Sequence, residues 1–352
     1  MDWKYCKSRS ETGRAHTQAV AACFTTGSYI LKISKPAAIT MNKSASPDFL
    51  SQLESEHLSL WNSKSEPLQT VQLPESCIVE LAAAAEQTTD DNFNTVARLN
   101  LQHCDALVER ARSVLQTGSG CVLIDRFPVE KYDTALCRRA AGILSHLISP
   151  IMPQDTKGTL LYDVVDTGAR ESISTRRSKT NHEQPFHTDG PWLPTPPGMI
   201  GLFCLNPSPE GGYSQVASLQ SAIQNIVEQA PACSSLLQQN IAWNCMGQHD
   251  DGAAPFNSLP VVDARQSGAL VMRYYADYVR TGHTLSDDEI DPEIDGLLQD
   301  LNQHLVANAC EPFRLETGQI IYINNWSVTH ARAKFKDESS QTGRHLVRLW
   351  GR

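Results

Sequence analysis

Residues 184–192 have the sequence QPFHTDGPW, which places His187 and Asp189 two positions apart between two prolines. In an extended segment successive side chains alternate between opposite faces, so these two side chains project the same way. An imidazole and a carboxylate on one side of a short strand can bind the same metal ion. The segment therefore predicts half of a metal site, carried by a β-strand.

A third ligand is needed, because two side chains do not hold a redox metal tightly. The best candidate is His330 in NNWSVTHARAKF, at the end of an apolar, β-prone stretch. Two histidines and one carboxylate form the facial ligand set of non-haem iron(II) oxygenases, which leaves adjacent coordination positions open. The competing interpretation is a chance HxD triplet in a surface loop and an ordinary hydrogen-bonded histidine.

Two arginines follow His330 in the segment GRHLVRLW. On a strand Arg344 and Arg348 lie on the same face, and a guanidinium binds a carboxylate through a two-pronged contact that lysine cannot copy. The intervening KFKDESSQTG has the composition of a turn, which would bring Arg344 back beside His330. The alternative is that both arginines pair with acids of that turn on a solvated face.

The composition narrows the class of partner. The chain has 352 residues, of which 41% are hydrophobic, and a formal net charge of −9. Its acidic residues are spread along the chain, so it lacks the basic surface expected of a nucleic-acid-binding protein. No apolar stretch is long enough to span a membrane. We therefore expect a protein with a small-molecule substrate and no nucleic-acid or membrane partner; it could form a homo-oligomer.

Cysteine usage and the N-terminal composition bear on the cellular compartment. The ten cysteines are scattered without a CxxC pair, and several lie in apolar runs such as GCVLI and LFCLN. This usage predicts reduced, buried thiols in a cytoplasmic protein instead of a disulfide framework. Residues 1–47 are rich in Ser and poor in acids, which indicates a flexible or docking extension, with mitochondrial import as the alternative.

Residues 48–352 have the pattern of a single globular domain. Helical periodicity marks residues 77–87, 103–118 and 132–149, and two later helices are predicted over 218–239 and 285–309. Strand-like runs are GCVLIDRF, GTLLYDVVD, MIGLFCLN, GGYSQVAS, GALVMRYYADYV, GQIIYINNW and RHLVRLW. This order predicts a mainly β fold with flanking helices, in which the helices pack outside an antiparallel barrel or jelly roll.

Two long segments carry a family resemblance. PFHTDGPW with the following TPPGMIGLFCLNPSPEGGYSQVAS, and YINNWSVTHARAKFKDE with GRHLVRLW, resemble the TauD/TfdA (taurine dioxygenase-like) iron(II)- and 2-oxoglutarate-dependent dioxygenases. The similarity is strong over about 155–352 and faint from about residue 60. It implies a double-stranded β-helix (jelly-roll, cupin-like) core with catalytic iron on His187, Asp189 and His330.

The resemblance also assigns further side chains. By position Arg344 would bind the far carboxylate of 2-oxoglutarate, and Ser214 would help to hold it. Arg348 occupies the position that faces the acidic group of the substrate in taurine dioxygenase. Chain order places three more candidate substrate contacts at the mouth of the barrel: Asn181, Arg273 and Trp326.

The implied reaction is the oxidation of a C–H bond by hydroxylation or desaturation. Fe(II) would be the metal, 2-oxoglutarate and dioxygen the co-substrates, and succinate and CO2 the by-products. The substrate would be a small molecule that is anionic or resembles an amino acid. Polar residues 165–184 are predicted as a mobile lid or, alternatively, an ordinary surface loop. Other readings are a metal-binding protein of this fold without turnover, and a zinc or manganese cupin-like hydrolase or isomerase.

Overall fold

The structure is a computed structural model that describes residues 60–352 except positions 63, 66, 94–95, 97–98, 171, 265–269 and 338–342. The predicted N-terminal extension, 1–47, lies outside the described residues. The helices are α1 (Glu75–Glu86), α2 (Asp105–Thr117), α3 (Thr134–Ile148), α4 (Leu219–Gln229), α5 (Cys233–Leu237), α6 (Ala276–Ser286) and α7 (Pro292–Ala307). The strands are β1 (Gln69–Gln72), β2 (Cys121–Asp125), β3 (Ile151–Met152), β4 (Tyr162–Val165), β5 (Gln184–His187), β6 (Met199–Asn206), β7 (Glu210–Gly211), β8 (Ser214–Ser218), β9 (Ile241–Asn244), β10 (Phe256–Leu259), β11 (Val262–Ala264), β12 (Leu270–Met272), β13 (Ile320–Asn324), β14 (Val328–Arg332), β15 (Phe335–Lys336) and β16 (His345–Gly351).

The larger sheet has seven strands in the order β1-β2-β13-β6-β16-β3, with β4 also paired to β16. Every pair is antiparallel except β1 with β2. The smaller sheet has the order β5-β14-β8 and is antiparallel. Its register places His330 directly opposite His187, so the strand pairing itself brings two of the predicted metal ligands together.

The larger sheet is buried on both faces, and strand alternation divides its side chains between two apolar clusters. Ile321 and Ile323 of β13 belong to the cluster that includes the smaller sheet. Ile320 and Tyr322 belong to the cluster formed with α1, α2 and α3. Fully burying an aliphatic or aromatic side chain stabilises a fold by about 1.5–3 kcal/mol, so this alternation holds the sheet between its two neighbouring layers. The mainly β architecture with flanking helices is confirmed.

Local capping fixes the helix starts. Asp133 accepts a hydrogen bond from the Leu136 N–H at the start of α3, and Ser218 does the same for the Ser221 N–H in α4. The helix predicted over 218–239 is interrupted at Pro231, which lacks an N–H and separates α4 from α5. Helix α7 begins later than predicted, at Pro292, where proline's missing N–H costs no intrahelical bond.

The strand predicted for GALVMRYYADYV is wrong beyond Met272. Helix α6 begins at Ala276, and its buried face carries Tyr278, Val279 and Gly282 at helical spacing. The tyrosines of this segment favour strands in general, but the burial of this helical face overrides that preference. Tyr278 therefore projects from a helix, whereas Tyr274 and Tyr275 lie in the connection between β12 and α6.

One pair of cysteines departs from the predicted reduced state. Cys77 in α1 and Cys104, just before α2, form a disulfide with Cα atoms 4.9 Å apart. The six free cysteines among the described residues, Cys121, Cys137, Cys204, Cys233, Cys245 and Cys310, are all buried. The spacing of the cysteines in the sequence does not indicate this disulfide, because 27 positions separate Cys77 from Cys104. The packing of two helical segments brings them together.

No helix in the described part of the chain is long and apolar enough to cross a membrane.

Candidate active site

Three side chains form a possible metal site where the two histidines face each other across the smaller sheet. One potential ligand atom from each of His187, Asp189 and His330 lies within 4.8 Å of the others. Nε2 of His187 is 3.4 Å from Oδ1 of Asp189, and Nε2 of His330 is 4.0 Å from the same oxygen. The predicted convergence of these three distant positions is therefore present in the fold.

The protonation of the three groups suits a divalent cation. His187 Nδ1 donates to the carbonyl oxygen of Pro185 at 2.9 Å, so Nε2 carries the lone pair; in this structure Nε2 accepts from Gln184 Nε2 at 2.8 Å, a contact that a bound metal would replace. Burial, and then the neighbouring His187, lower the pKa of His330 to about 3, so its imidazole is neutral. Burial alone would raise the pKa of Asp189, but Arg348 and His187 together hold it below its ordinary value. Two imidazoles and a carboxylate form a donor set that fits Fe(II).

Asp189 is held in place from both sides. Its Oδ2 accepts a hydrogen bond from Trp350 Nε1 at 2.8 Å and lies 3.1 Å from Arg348 Nη1. Its backbone N–H donates to Oδ1 of Asn325 at 2.8 Å, and Asn325 Nδ2 donates back to its carbonyl at 2.9 Å. Gly190 follows with φ +61°, a conformation that glycine adopts without a Cβ penalty. Oδ1 is thereby left facing the two imidazoles.

An inner cavity extends from this cluster between the two sheets. Its polar lining, besides the three possible metal ligands, consists of Ser178, Gln184, Ser214, Gln215, Arg332, Arg344 and Arg348. Arg344 is buried, and its Nη1 makes no hydrogen bond to the described residues. Its guanidinium carbon lies 5.3 Å from the centre of the Phe335 ring, and burial lowers its pKa to about 10. A buried cation with an unpaired N–H fits a ligand carboxylate.

Arg332 is a site residue that the sequence interpretation missed. It is buried two positions beyond His330 on β14 and lines the inner cavity. Its Nη2 donates to the carbonyl of Thr180 at 3.1 Å and to that of His182, while its Nε has no hydrogen-bond partner among the described residues. Strand alternation from His330 would have found it, because residues two apart share a face.

Two further cavities lie near the inner cavity, and one of them is also lined by possible metal ligands. The lid cavity is lined by Arg176, Trp192, Tyr278 and Trp350 together with His187, Asp189 and Arg348. The outer cavity, of about 320 Å³, shares Arg177, Tyr275 and Tyr278 with the lid cavity. The lid cavity also shares Ser178, Gln184 and Arg348, besides His187 and Asp189, with the inner cavity, so it adjoins both of the other cavities.

Arg273, a predicted substrate contact, does not line any of these three cavities. It is 0% exposed, and its Nη atoms donate to the carbonyls of Pro194 at 3.1 Å and Pro260 at 3.4 Å. Nη2 also lies 3.5 Å from Oδ2 of Asp263. The guanidinium is thus used to join loops, and the assignment as a substrate contact is not supported by its position.

Asn181 and Trp326 are also absent from the walls of the three cavities. The carbonyl of Asn181 accepts the N–H of Phe335 at 3.1 Å. The indole of Trp326 donates from Nε1 to the carbonyl of Pro196 at 3.3 Å. Asn181 and Trp326 are near His187 and His330 in sequence, but their side chains do not line the site. Arg348 and Ser214, which were also predicted, do line the inner cavity.

The segment predicted as a lid, residues 165–184, packs over the lid cavity. Arg176, Ser178 and Thr180 are buried, although the segment as a whole is polar. Asn244 Nδ2 donates to the carbonyl of Ile173 at 2.8 Å, which ties the segment to β9. The segment therefore covers the site in this structure, and its motion stays a prediction.

Comparisons with known proteins identify similar sequences and a shared fold. The FR-33289 synthase of Streptomyces rubellomurinus is 24% identical over 293 residues, which are 80% of this chain and 84% of that protein. Asparagine oxygenase in complex with Fe(II), 3-hydroxyasparagine and succinate superposes with a TM-score of 0.63 at 17% identity, over 80% of this chain and 93% of that chain. The oxygenase OrfP with Fe and α-ketoglutaric acid superposes with a TM-score of 0.61 at 13% identity, over 81% and 93%. At these identities the two structures show a shared fold.

The family is shown by a match along most of the chain. Residues 82–350 match the sequence model described as taurine catabolism dioxygenase TauD, TfdA family. The matched range contains the three possible metal ligands and the arginines of the inner cavity. The chain therefore belongs to the TauD, TfdA family and is a 2-oxoglutarate-dependent dioxygenase that uses Fe(II).

Proposed function

We propose that His187, Asp189 and His330 bind Fe(II) in an enzyme that hydroxylates or desaturates a C–H bond of a small molecule. The observation that carries this proposal is the convergence of their ligand atoms within 4.8 Å, between a cavity for the co-substrate and one for the substrate. When bound, Fe(II) and 2-oxoglutarate activate dioxygen, and succinate and CO2 are released. The chain supplies the ligands, orients both molecules and excludes water.

Arg344 and Ser214 are the residues that we assign to 2-oxoglutarate. Both line the inner cavity, and Arg344 has a buried Nη1 without a hydrogen bond to the described residues. A carboxylate placed there would gain a charge-assisted hydrogen bond and would compensate a buried cation. Arg332 lines the same cavity and adds to its positive charge. The apolar remainder of the lining, which includes Ile321 and Leu346, suits the methylene groups of the co-substrate.

We assign the lid cavity to a substrate that is anionic or resembles an amino acid. Arg348 lines it and supplies positive charge next to Asp189. Residues 165–184 would act as its lid, because the buried Arg176 and Ser178 of this segment line the cavity. Tyr275 and Tyr278, which border both the lid cavity and the outer cavity, lie on the route that the substrate would take.

We also propose that the two facing sheets form a double-stranded β-helix, the jelly-roll arrangement, within a single domain of residues 48–352. The antiparallel pairing of the smaller sheet and of all but one strand pair of the larger sheet, and the shared apolar cluster between them, support this assignment. Ligand pockets at the mouth of such β folds are common; His187 ends β5, Asp189 follows it by two positions, and His330 is the middle residue of β14.

An anaerobic titration tests the proposed function. Addition of Fe(II) and then 2-oxoglutarate to the metal-free protein is expected to produce the weak visible charge-transfer band of an iron-bound 2-oxo acid. The same titration with Zn(II) serves as the control and should give no band. Absence of the band with Fe(II) would contradict the proposal and favour a metal-binding protein without turnover or a zinc or manganese enzyme.

Trp350 is expected to position Asp189 and so to strengthen iron binding. Trp350→Phe removes the hydrogen bond from Nε1 to Oδ2 of Asp189 but keeps the aromatic packing. Loss of such a contact to a metal ligand typically lowers metal affinity by about 10–100-fold. We expect a decrease of this size in the Fe(II) affinity of Trp350→Phe, to be measured by Fe(II) titration. Trp326→Phe is the matched control, since its indole donates to the carbonyl of Pro196, away from the cavities. Equal iron affinity in both variants would refute the role of Trp350.

A further inference from the structure

The two cavities that contact the possible metal ligands are small, whereas the outer cavity is large. The lid cavity has a volume of about 20 Å³ and the inner cavity of about 40 Å³, against about 320 Å³ for the outer cavity. A single buried water needs roughly 10–15 Å³ of such volume, so the lid cavity has room for one small group. The outer cavity adjoins it at Tyr275 and Tyr278. A substrate whose reacting end lies in the lid cavity would therefore place its larger part in the outer cavity.

The outer cavity combines a partly apolar lining with balanced charge. Its large apolar and aromatic lining residues are Ile173, Met246, Tyr275 and Tyr278. Its charged lining residues are one arginine, Arg177, and one aspartate, Asp277, which lies 3.8 Å from Arg280. Burial raises the pKa of Glu183 and Arg177 lowers it, so this arginine also has an acidic neighbour. Such a lining favours an uncharged group with apolar surface.

A neighbouring cavity, which we call the flank cavity, has a different lining. It has a volume of about 370 Å³ and shares Thr175 and Met246 with the outer cavity. Its charged lining residues are three basic residues and one acid: Lys157, Arg176, Lys179 and Asp155. Neither Tyr275 nor Tyr278 lines it. An uncharged tail that leaves the lid cavity past these tyrosines is therefore expected in the outer cavity, and the flank cavity supplies a control position.

Tyr275 offers a hydrogen-bond donor where the lid and outer cavities meet. It is 2% exposed, its ring centre lies 4.9 Å from that of His187, and it stacks on Tyr278 with ring centres 3.8 Å apart. Its phenol oxygen is buried and has no hydrogen-bond partner among the described residues. Burial raises the pKa of Tyr275 well above its ordinary value, so the phenol stays protonated and can donate. Buried polar groups are normally paired, so this O–H indicates an acceptor on a ligand.

We infer that the outer cavity binds an uncharged acyl tail of the substrate, and that Tyr275 determines specificity by donating a hydrogen bond to the acyl carbonyl. The inference rests on the proposed function, since it takes the lid cavity as the place of the reacting carbon. A carbonyl oxygen accepts the phenol O–H without adding charge to a lining that is already balanced. The apolar chain beyond the carbonyl would cover Ile173 and Met246. The substrate class is thus an acylated small acid and not a free amino acid.

Two probes with the same head group test the tail without turnover. We would titrate N-acetylglycine and N-hexanoylglycine by calorimetry into the protein loaded with Fe(II) and 2-oxoglutarate under anaerobic conditions. The two probes differ by four methylene groups, and full burial of each raises affinity by about a factor of four. N-Hexanoylglycine is therefore expected to bind roughly 10–200-fold more tightly. Equal affinity of the two probes would overturn the inference.

Variants of the lid segment locate the tail. Ile173→Trp places a larger side chain at the wall of the outer cavity, so it should remove most of the preference for N-hexanoylglycine while N-acetylglycine binds as before. Ser174→Trp is the matched control, because Ser174 lines the flank cavity and not the outer cavity. This control should keep the preference. An equal or larger loss in Ser174→Trp would overturn the assignment of the tail to the outer cavity.

Tyr275→Phe tests the hydrogen bond, with nonanoate as a probe of the same chain length as N-hexanoylglycine that lacks the acyl carbonyl. Loss of one neutral hydrogen bond should weaken N-hexanoylglycine binding by about 2–10-fold and leave nonanoate binding unchanged. Tyr274→Phe is the matched control, because its phenol donates to the carbonyl of Leu298 at 3.1 Å and it lines none of the inner, lid and outer cavities. Equal changes for the two probes in Tyr275→Phe would overturn its role.

Thermal unfolding separates this role from a structural one. Without ligand, Tyr275→Phe should unfold at the same or a higher temperature than the unaltered protein, because an unpaired buried hydroxyl is removed. A clear decrease, together with unchanged N-hexanoylglycine binding, would make Tyr275 a structural residue. If no charge-transfer band forms with Fe(II) and 2-oxoglutarate, the proposed function fails, whereas the same titrations on the metal-free protein still decide whether the outer cavity binds an acyl tail.

Discussion

His330→Ala is expected to abolish succinate formation and tight iron binding while leaving the fold close to its original stability. The imidazole contributes a ligand atom to the possible metal site, and two remaining ligands would hold Fe(II) weakly. Its Nδ1 has no hydrogen-bond partner in the described residues, so the change breaks no polar contact there. The cost is a buried void, and thermal unfolding of the metal-free protein should show only a modest decrease.

The control for this variant is His146→Ala in α3. That histidine also has an Nδ1 without a hydrogen-bond partner among the described residues, but it stacks on Phe93 and lines none of the three cavities. It should keep full iron affinity and full succinate release. Asp189→Ala should lose iron too, with a larger loss of stability, because Arg348 and Trp350 would then lack their shared acceptor. Retained succinate release in His330→Ala would refute the metal assignment.

Arg344→Gln is expected to raise the 2-oxoglutarate concentration required for half-maximal chelate formation by about 10–100-fold, with a smaller effect on the rate at saturation. Removal of a charge-assisted hydrogen bond to a buried carboxylate costs roughly 1.5–3 kcal/mol, and each 1.4 kcal/mol is a factor of ten in affinity. The measurement is an anaerobic titration followed at the charge-transfer band. Arg344→Lys should recover only part of the affinity, since an ammonium lacks the two-pronged geometry.

Arg110→Gln is the control for this substitution, because Arg110 is an exposed residue of α2 that donates to Gln69. Its 2-oxoglutarate requirement should not change. If Arg344→Gln keeps the original requirement as well, the far carboxylate of the co-substrate is bound elsewhere, and Arg332 becomes the next residue to substitute in the inner cavity.

Strand periodicity explains which parts of the site were predictable. His187 and Asp189 share a side of one extended segment, and Arg344 and Arg348 line the inner cavity together, as alternation requires. Arg332 follows the same rule from His330 and could have been found by applying it. Arg273 shows where the rule fails, because residues 270–275 are buried on both faces and alternation no longer separates cavity from core.

Arg176 was not predictable in this way. It lies in a polar segment without a strand or helix period, and its burial depends on contacts with Gln154 and Tyr162 from other parts of the chain. The disulfide between Cys77 and Cys104 has the same origin, since it depends on how two helical segments pack. Contacts made only by tertiary packing leave no local pattern, so they became visible only in the fold.

Strand β16 is placed late in the chain but in the interior of the larger sheet, between β6 on one side and β3 and β4 on the other. It carries Arg348 and Trp350, and Arg344 immediately precedes it. During synthesis a nascent chain folds while its most recent residues are still inside the ribosome. The sheet, the carboxylate-binding arginines and the support of Asp189 can therefore be completed only after residue 351 has emerged. Capture of iron should accordingly follow release of this strand from the ribosome.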